Sequence, residues 1–379
     1  MNKKFFLIAL YSSVLNFLTV PFSSSIASIF GYATIICFFG SVLYPAIMNK
    51  TFDWDKNLLV FIGLIFLSLL TNIKSWDQNF ISNIIGNVIS IVSFVTFYMA
   101  LSRPIQKTGE LFLEHIFPAN YLLSAVLLAF AIGPFDFKYS VVNEYGRKQF
   151  TLGLGNPNAT AMVVMFCIMV LLIQIFTDKR KVFINVLLIS GLTYVLFMLS
   201  SRTVIVCVMI VLVFGIIKSQ KIINFASHFA VFAPAVLFVF QMLFLEGSLD
   251  IKILGKTLDT GRPEMYKELL GVVIDNPIMI ILGNVVKYPF YNAHNGLLTM
   301  LISLGGIGII VYFVFWLNRL EILRNVCITK IQNIAFVSIL AFLLHSSSES
   351  MSVIGTIPYS LYVIIIMRIA LGEIRSRND

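Results

Sequence analysis

Three residues in this sequence have side chains suited to chemistry on a phosphorylated substrate: Arg202, Arg262 and His294. Arg202 lies in Met198-Leu-Ser-Ser-Arg-Thr203, with a strongly apolar run on each side. A charge at the boundary of a membrane helix is costly, so such a residue indicates a functional site. The alternative is an arginine that extends along the helix to reach a lipid phosphate. We favour a functional role for Arg202 over this alternative.

Arg262 lies in Thr260-Gly-Arg-Pro263, at the start of an amphipathic stretch. Proline suits the first turn of a helix, where its missing N–H costs nothing. The apolar residues that follow have the spacing of one helix face: Met265, Leu269, Val272 and Val273. A helix N-terminus binds anions, and the planar guanidinium fits phosphate. We therefore predict an anion site at Arg262, although a solvated loop arginine is the simpler interpretation of this residue alone.

His294 lies in Tyr291-Asn-Ala-His-Asn-Gly296, just before an apolar run. Histidine is the side chain that best transfers protons near neutral pH, so His294 is a candidate general base, with Asn295 beside it as a candidate substrate ligand. The alternative is a structural hydrogen bond at a membrane interface. The other three histidines, His115, His228 and His345, have less suitable positions.

A turn rich in glycine and asparagine, Gly153-Leu-Gly-Asn-Pro-Asn158, precedes another apolar run and follows Arg147 and Lys148. Glycine, proline and asparagine favour a tight turn. We predict that Asn156, Asn158 and the two basic residues contact a pyrophosphate or a sugar. The alternative is a simple turn into a membrane helix. The pattern lacks the Lys-Ser/Thr pair of a P-loop.

The sequence predicts no metal site. Acidic residues on the same predicted side of the membrane, such as Asp250, Asp259, Glu264, Glu268 and Asp275, are scattered and include no paired Asp-x-Asp. The four cysteines have no metal-ligand spacing and are interpreted as small apolar residues.

Composition indicates a membrane protein. Of the 379 residues, 59% are hydrophobic and 12% are charged, whereas soluble domains carry about 25% charged residues. This excludes a cytosolic enzyme, a secreted disulfide scaffold and a disordered tail. The net charge of +9 is explained by basic cytoplasmic loops rather than by nucleic-acid binding.

Twelve apolar runs are predicted to form membrane helices of one all-α polytopic domain, residues 1–379. They are 5–22, 26–48, 57–73, 81–101, 116–134, 159–177, 182–199, 202–217, 223–245, 296–317, 331–345 and 355–371. With both termini in the cytoplasm, most of the 27 Lys and Arg residues lie inside, as the positive-inside rule requires.

Two polar segments are then predicted on the outer side, 135–158 and 246–295. The second is a large loop between the ninth and tenth spans, and its amphipathic helix is expected to lie at the membrane interface as an active-site lid. The arginines and His294 share this outer face. Arginines can stabilise a departing pyrophosphate, and a histidine can activate a hydroxyl, so the residues fit a lipid-linked pyrophosphate substrate.

These motifs resemble the O-antigen polymerase and O-antigen ligase superfamily of bacterial envelope glycosyltransferases. The resemblance covers roughly residues 145–315 and rests on the order of four short landmarks. They are Arg147 with Gly153–Asn158, Ser201-Arg202, Thr260-Gly-Arg262 with Asp275-Asn-Pro277, and Ala293-His-Asn295 with Leu304-Gly-Gly-Ile-Gly308. Tyr266 stands where the family often has tryptophan.

The resemblance implies a GT-C-like fold in the bacterial cytoplasmic (inner) membrane and a metal-independent, inverting transfer without cofactor. An undecaprenyl-pyrophosphate-linked oligosaccharide would be both donor and acceptor, with membrane lipids and a chain-length regulator as further partners. Arg202 and Arg262 would bind pyrophosphate, and His294 would be the base or position the acceptor. Arg147, Lys148, Asn156, Asn158, Tyr266 and Asn295 complete the candidate set.

The favoured function is a polymerase that joins repeat units into O-antigen or capsular polysaccharide. A ligase that transfers the glycan to lipid A-core or to a protein shares the donor chemistry and is the nearest alternative. A flippase for the same lipid-linked units is more distant, because transporters usually have two related halves and charges near the membrane midplane.

Overall fold

The structure is a computed structural model. It describes residues 2–48, 56–72, 84–102, 109–141, 148–154, 156–215, 220–244, 252–253, 256–257, 262–290, 293–326, 329–349 and 359–371.

Within these ranges the chain is mainly α-helical, as predicted. The first seven helices are α1 (Lys3–Thr19), α2 (Ser24–Met48), α3 (Lys56–Thr71), α4 (Ile84–Ser102), α5 (Gly109–Ile132), α6 (Pro157–Thr177) and α7 (Val182–Leu199). The remaining helices are α8 (Arg202–Phe214), α9 (Gln220–Phe244), α10 (Arg262–Ile274), α11 (Pro277–Leu282), α12 (Gly296–Val326), α13 (Lys330–His345) and α14 (Tyr359–Ala370).

Two short antiparallel hairpins lie between helices. Strand β1 (Tyr139–Val141) pairs with β2 (Lys148–Phe150). Strand β3 (Lys252–Ile253) pairs with β4 (Lys256–Thr257). The hairpins fall in the two segments that the sequence predicts to be outer loops.

The chain is a helical membrane protein. Six helical segments in the described ranges are long and apolar enough to cross a bilayer, and five shorter apolar helices accompany them. Every predicted apolar run coincides with a helix, since α1 to α9 and α12 to α14 follow the twelve runs in order. The amphipathic stretch after Thr260 is also confirmed as a helix, α10.

The interior of the bundle is built on α6, α13 and α14, whose side chains are buried along almost their whole length. Outer helices instead leave large apolar side chains exposed, and α7 is an example with Phe183, Leu187 and Phe197. A helix that is apolar on all sides fits either a protein core or a membrane. The exposed apolar faces are therefore suited to contact with lipid.

Two glycines allow α11 to pack directly on the backbone of α12. Gly305 breaks α12 with φ 69° and ψ −168°, and Gly283, which ends α11, has φ 68° and ψ −170°. A Cβ atom on Gly305 would clash with the carbonyl oxygen of Ile281. The Asn284 N–H also donates to the Ile302 carbonyl oxygen at 2.8 Å. This contact holds the first part of α12, which begins beside His294.

We expect Gly305→Ala to destabilise the protein by about 3 kcal/mol or more, because this backbone region is essentially restricted to glycine and a Cβ would clash with α11. The measurement is the thermal unfolding midpoint in detergent. Gly271→Ala is the matched control, because a Cβ on this helical glycine meets nothing within 4 Å; alanine there should be neutral or stabilise by up to about 1 kcal/mol. Equal midpoints for the two variants would contradict the prediction.

Candidate functional site

Glu349 lies at the centre of the candidate site. It follows α13 in a turn in which its backbone N–H donates to the carbonyl oxygen of His345 at 2.9 Å. Its side chain is only 2% exposed. Burial of a carboxylate is costly unless hydrogen bonds and opposite charges compensate. Side chains from three other parts of the chain provide this compensation.

The first of these side chains is Asn158, in the first turn of α6. Its Nδ2 donates to Glu349 Oε1 at 2.8 Å, and its Oδ1 accepts a hydrogen bond from Ser201 Oγ at 3.3 Å. Asn156 has a different role, because its side chain caps α6 by accepting from the Asn158 N–H at 2.8 Å. Asn158 therefore belongs to the site, whereas Asn156 shapes the turn that leads to it.

His294 is the second side chain on the buried carboxylate. Its Nδ1 lies 2.8 Å from Glu349 Oε1, and its side chain is 34% exposed. Its backbone is in the left-handed region, with φ 53°. A left-handed conformation in a residue other than glycine is uncommon and is often found at functional sites. The imidazole is thus held by a buried group while part of the ring stays accessible.

Two of the predicted ligands support His294 from the protein side. The buried Tyr266 hydroxyl donates to the carbonyl oxygen of His294 at 3.2 Å. The buried Asn295 accepts hydrogen bonds in the first turn of α12, and its Nδ2 donates to the carbonyl oxygens of Pro234 at 3.0 Å and Ser347 at 3.3 Å. Asn295 therefore ties α9, α12 and the turn before Glu349 together.

Tyr266 remains a neutral hydrogen-bond donor at physiological pH. Burial raises the pKa of its hydroxyl to about 12. The positive charge of Arg262 lowers this pKa and the negative charge of Glu349 raises it, both to a smaller extent than burial does. The structure thus gives Tyr266 a supporting contact, and its predicted contact with substrate stays a prediction.

The two arginines contribute the positive charge of the site. Arg262, the first residue of α10, has Nη2 3.8 Å from Glu349 Oε1 and is 18% exposed. Arg202, the first residue of α8, follows Ser200, whose backbone is also left-handed with φ 51°. Ser201, the residue before Arg202, donates to Asn158, which donates to Glu349, so the start of α8 lies beside the cluster. Guanidinium groups are suited to binding a phosphate, because their planar N–H donors match its oxygens.

The structure does not bring all predicted residues into this cluster. Arg147 lies outside the described residues. Lys148 is described only by its backbone, which pairs with Val141 between β2 and β1. The roles predicted for these two basic residues stay predictions.

His345, which the sequence makes a weaker candidate for the general base than His294, is buried at the end of α13. Within the ranges that the structure describes, neither ring nitrogen has a hydrogen-bond partner. The direct contact to the Glu349 carboxylate is made by His294.

Glu349 is the residue that the sequence analysis missed. It lies in the serine-rich segment between the predicted spans 331–345 and 355–371, which the same topology puts on the outer side with Arg202, Arg262 and His294. A lone acid beside this group of cations was the available signal. A single acid does not indicate a metal site, and no local sequence pattern marks Glu349 as a partner of His294.

The residue types of the cluster are suited to two tasks: the arginines can bind a dianion, and His294 can accept a proton close to it. Arginine forms strong hydrogen bonds to phosphate oxygens, and a histidine held by a carboxylate is a suitable general base. Among the described residues, no group of three or more His, Cys, Asp and Glu side chains could hold a metal ion. The metal-independent reaction itself stays a prediction.

Fold and site together define a helical membrane protein in which His294 and Arg262 contact the buried carboxylate of Glu349. No family model matches the chain, and no match was found among curated proteins or among solved structures.

Proposed function

We propose that this protein is a glycosyltransferase that polymerises lipid-pyrophosphate-linked oligosaccharide units into an O-antigen or capsular polysaccharide. The observation that supports this proposal best is the convergence on Glu349. Arg262 and His294 both contact its carboxylate, and Ser201, the neighbour of Arg202, donates to Asn158, which also contacts it. Arg202, Arg262 and His294 are far apart in sequence, and all three belong to the motifs that resemble the family.

We further propose twelve membrane spans, with both termini in the cytoplasm and the site on the outer face. Helix α6 has 21 residues, a length of about 31 Å, which is about the thickness of the hydrocarbon core. Asn158 of the site lies at its N-terminal end, and the basic residues Lys179, Arg180 and Lys181 follow its C-terminal end. Basic residues favour the cytoplasmic side, which supports an outer site.

In the proposed reaction, Arg202 and Arg262 bind the pyrophosphate of the donor, whose lipid tail stays in the bilayer. A hydroxyl of the acceptor glycan attacks the anomeric carbon, and its proton moves to His294. The bond between this carbon and the pyrophosphate oxygen breaks, and the lipid pyrophosphate leaves with the bonding electrons. The arginines stabilise the charge that develops on the leaving group. Direct displacement inverts the configuration of the sugar.

Reconstitution tests the proposal. Purified protein in liposomes receives a lipid-linked repeat unit as donor and acceptor in the presence of EDTA, and products are separated by size. We expect a ladder of longer lipid-linked glycans from the wild type. His294→Ala should reduce the rate by about 10²-fold to 10⁴-fold, the usual contribution of a general base.

The matched control is His228→Ala, which removes an exposed histidine from α9; it should produce the wild-type ladder. Product formed only after addition of a lipid A-core acceptor would change the function to a ligase. Transfer under neither condition, together with movement of the lipid-linked unit across the membrane, would identify a transporter. A normal ladder from His294→Ala would exclude His294 as the base.

A further inference from the structure

We propose that Glu349 is a positioning residue that prepares both His294 and Arg262 for glycosyl transfer and limits the affinity of the site for pyrophosphate. This inference rests on the proposed function and identifies the group that organises its site. The evidence is geometric, because a single buried oxygen, Glu349 Oε1, lies 2.8 Å from the imidazole and 3.8 Å from the guanidinium.

The contact with His294 determines which ring nitrogen acts as the base. An ionised carboxylate only accepts hydrogen bonds, so the 2.8 Å contact requires the hydrogen of the neutral imidazole on Nδ1. The other nitrogen, Nε2, is then the proton acceptor. When the acceptor hydroxyl transfers its proton to Nε2, the negative charge of Glu349 stabilises the imidazolium that forms. The same division of roles is known for carboxylate–histidine pairs in hydrolases.

The contact with Arg262 has a different character. A separation of 3.8 Å is too long for a hydrogen bond, so Glu349 attracts the guanidinium without accepting an N–H from it. The N–H groups of Arg262 can therefore bind the pyrophosphate while the carboxylate keeps the side chain nearby. The negative charge of Glu349 also repels the pyrophosphate. This repulsion weakens binding and favours release of the lipid pyrophosphate after transfer.

The surroundings of Glu349 fix its carboxylate in place. Asn158 donates to the same oxygen at 2.8 Å, and the Glu349 N–H is held by the His345 carbonyl oxygen. The neighbouring Ser347 carbonyl oxygen accepts from Asn295, the residue that follows His294. The segments that carry the carboxylate and the imidazole are thus joined by the Asn295 side chain as well as by the direct contact, as expected of a positioning residue.

The first test is Glu349→Gln, which keeps the shape of the side chain and removes its charge. We expect turnover to fall about 100-fold or more, because the imidazolium loses its counter-charge. The affinity for geranyl pyrophosphate, a lipid pyrophosphate without sugar, should rise at least about fivefold, because a nearby negative charge is lost. Turnover is measured in liposomes, and binding is measured by calorimetry on protein in nanodiscs.

The second variant, Glu349→Asp, keeps the charge and shortens the side chain by one methylene, which separates the two effects. Its affinity for geranyl pyrophosphate should stay within about twofold of wild type. Its turnover should fall about tenfold to 100-fold, because the contact with His294 is displaced. If Glu349→Gln does not fold, Glu349→Asp provides the test.

The control is Glu264→Gln, which changes an exposed acid two residues from Arg262. This variant should match wild type in both assays.

The outcomes distinguish the inference from the proposed function. If wild type does not bind geranyl pyrophosphate, or Arg262→Ala binds it equally well, the pyrophosphate site itself is wrong. If wild type binds and Arg262→Ala does not, while Glu349→Gln keeps wild-type affinity and turnover, only the role of Glu349 is overturned. Loss of turnover with tighter binding in Glu349→Gln supports the inference.

Discussion

Arg262→Ala is expected to abolish polymer formation, with a decrease in rate of about 10³-fold or more. Arginines that stabilise the charge of a transferring phosphate group contribute rate factors of this size in enzymes. Arg262 contacts Glu349, so its loss removes positive charge from the middle of the cluster. The measurement is the yield of lipid-linked glycan ladders from reconstituted protein.

The protein should still fold, because Asn158 and His294 continue to hold the buried carboxylate. The matched control is Lys267→Ala, which removes an exposed cation from the same helix and should leave the ladder intact. Thermal unfolding in detergent verifies that both variants are folded. Wild-type polymer from folded Arg262→Ala would eliminate Arg262 as the pyrophosphate ligand.

The sequence predicted the helices well because apolar runs and helix boundaries have local causes. Most boundaries of the runs lie within about four residues of the observed helices, but α5 begins at Gly109 rather than at 116, and α12 continues to Val326 rather than ending at 317. The Asn-Pro pair at Asn276-Pro277 supplies a helix cap and a first residue in the structure. The stretch after Arg262 was predicted as an amphipathic helix from its spacing alone and is α10. Such features depend on neighbours within one or two helical turns.

The break in α12 could not be predicted in the same way. The sequence has two adjacent glycines, Gly305 and Gly306. This pair is compatible with a continuous helix and also with a break in the helix. Gly305 has a positive φ because α11 packs against its backbone, a contact between segments that the sequence pattern does not relate. The direction of the first part of α12, and hence the position of His294, depends on this contact.

The candidate site was predicted in part. The residue types identified Arg202, Arg262 and His294. They did not identify the Glu349 oxygen that Arg262 and His294 both contact. Asn156 and Asn158 looked equivalent in the sequence, whereas one caps a helix and the other binds Glu349. Tyr266 and Asn295 were predicted as ligands and make supporting contacts instead. These distinctions arise from tertiary packing, which brings residues 158, 262, 294 and 349 together.

Arg202→Lys is expected to lower the rate of polymer formation by at least about 100-fold, although the charge is kept. A guanidinium offers a planar pair of N–H donors that matches a phosphate, whereas an ammonium is a compact point charge. Removal of one donor from an anion-stabilising site typically costs about 10²-fold to 10³-fold in rate. Arg202 starts α8 next to the buried Ser201, which bonds Asn158, so its position relative to the cluster is well defined. The assay is the reconstituted reaction.

Arg319→Lys provides the matched control, because Arg319 also lies in an apolar helix but in the C-terminal part of α12, where it donates to the Ser102 carbonyl oxygen at 3.1 Å. The control should polymerise at the wild-type rate. If Arg202 only anchored α8 at the membrane surface, lysine would serve equally well, since both side chains can extend to lipid phosphates. Near-normal activity of Arg202→Lys would therefore reduce Arg202 to such an anchor, and loss of activity with unchanged thermal stability would place its guanidinium on the substrate.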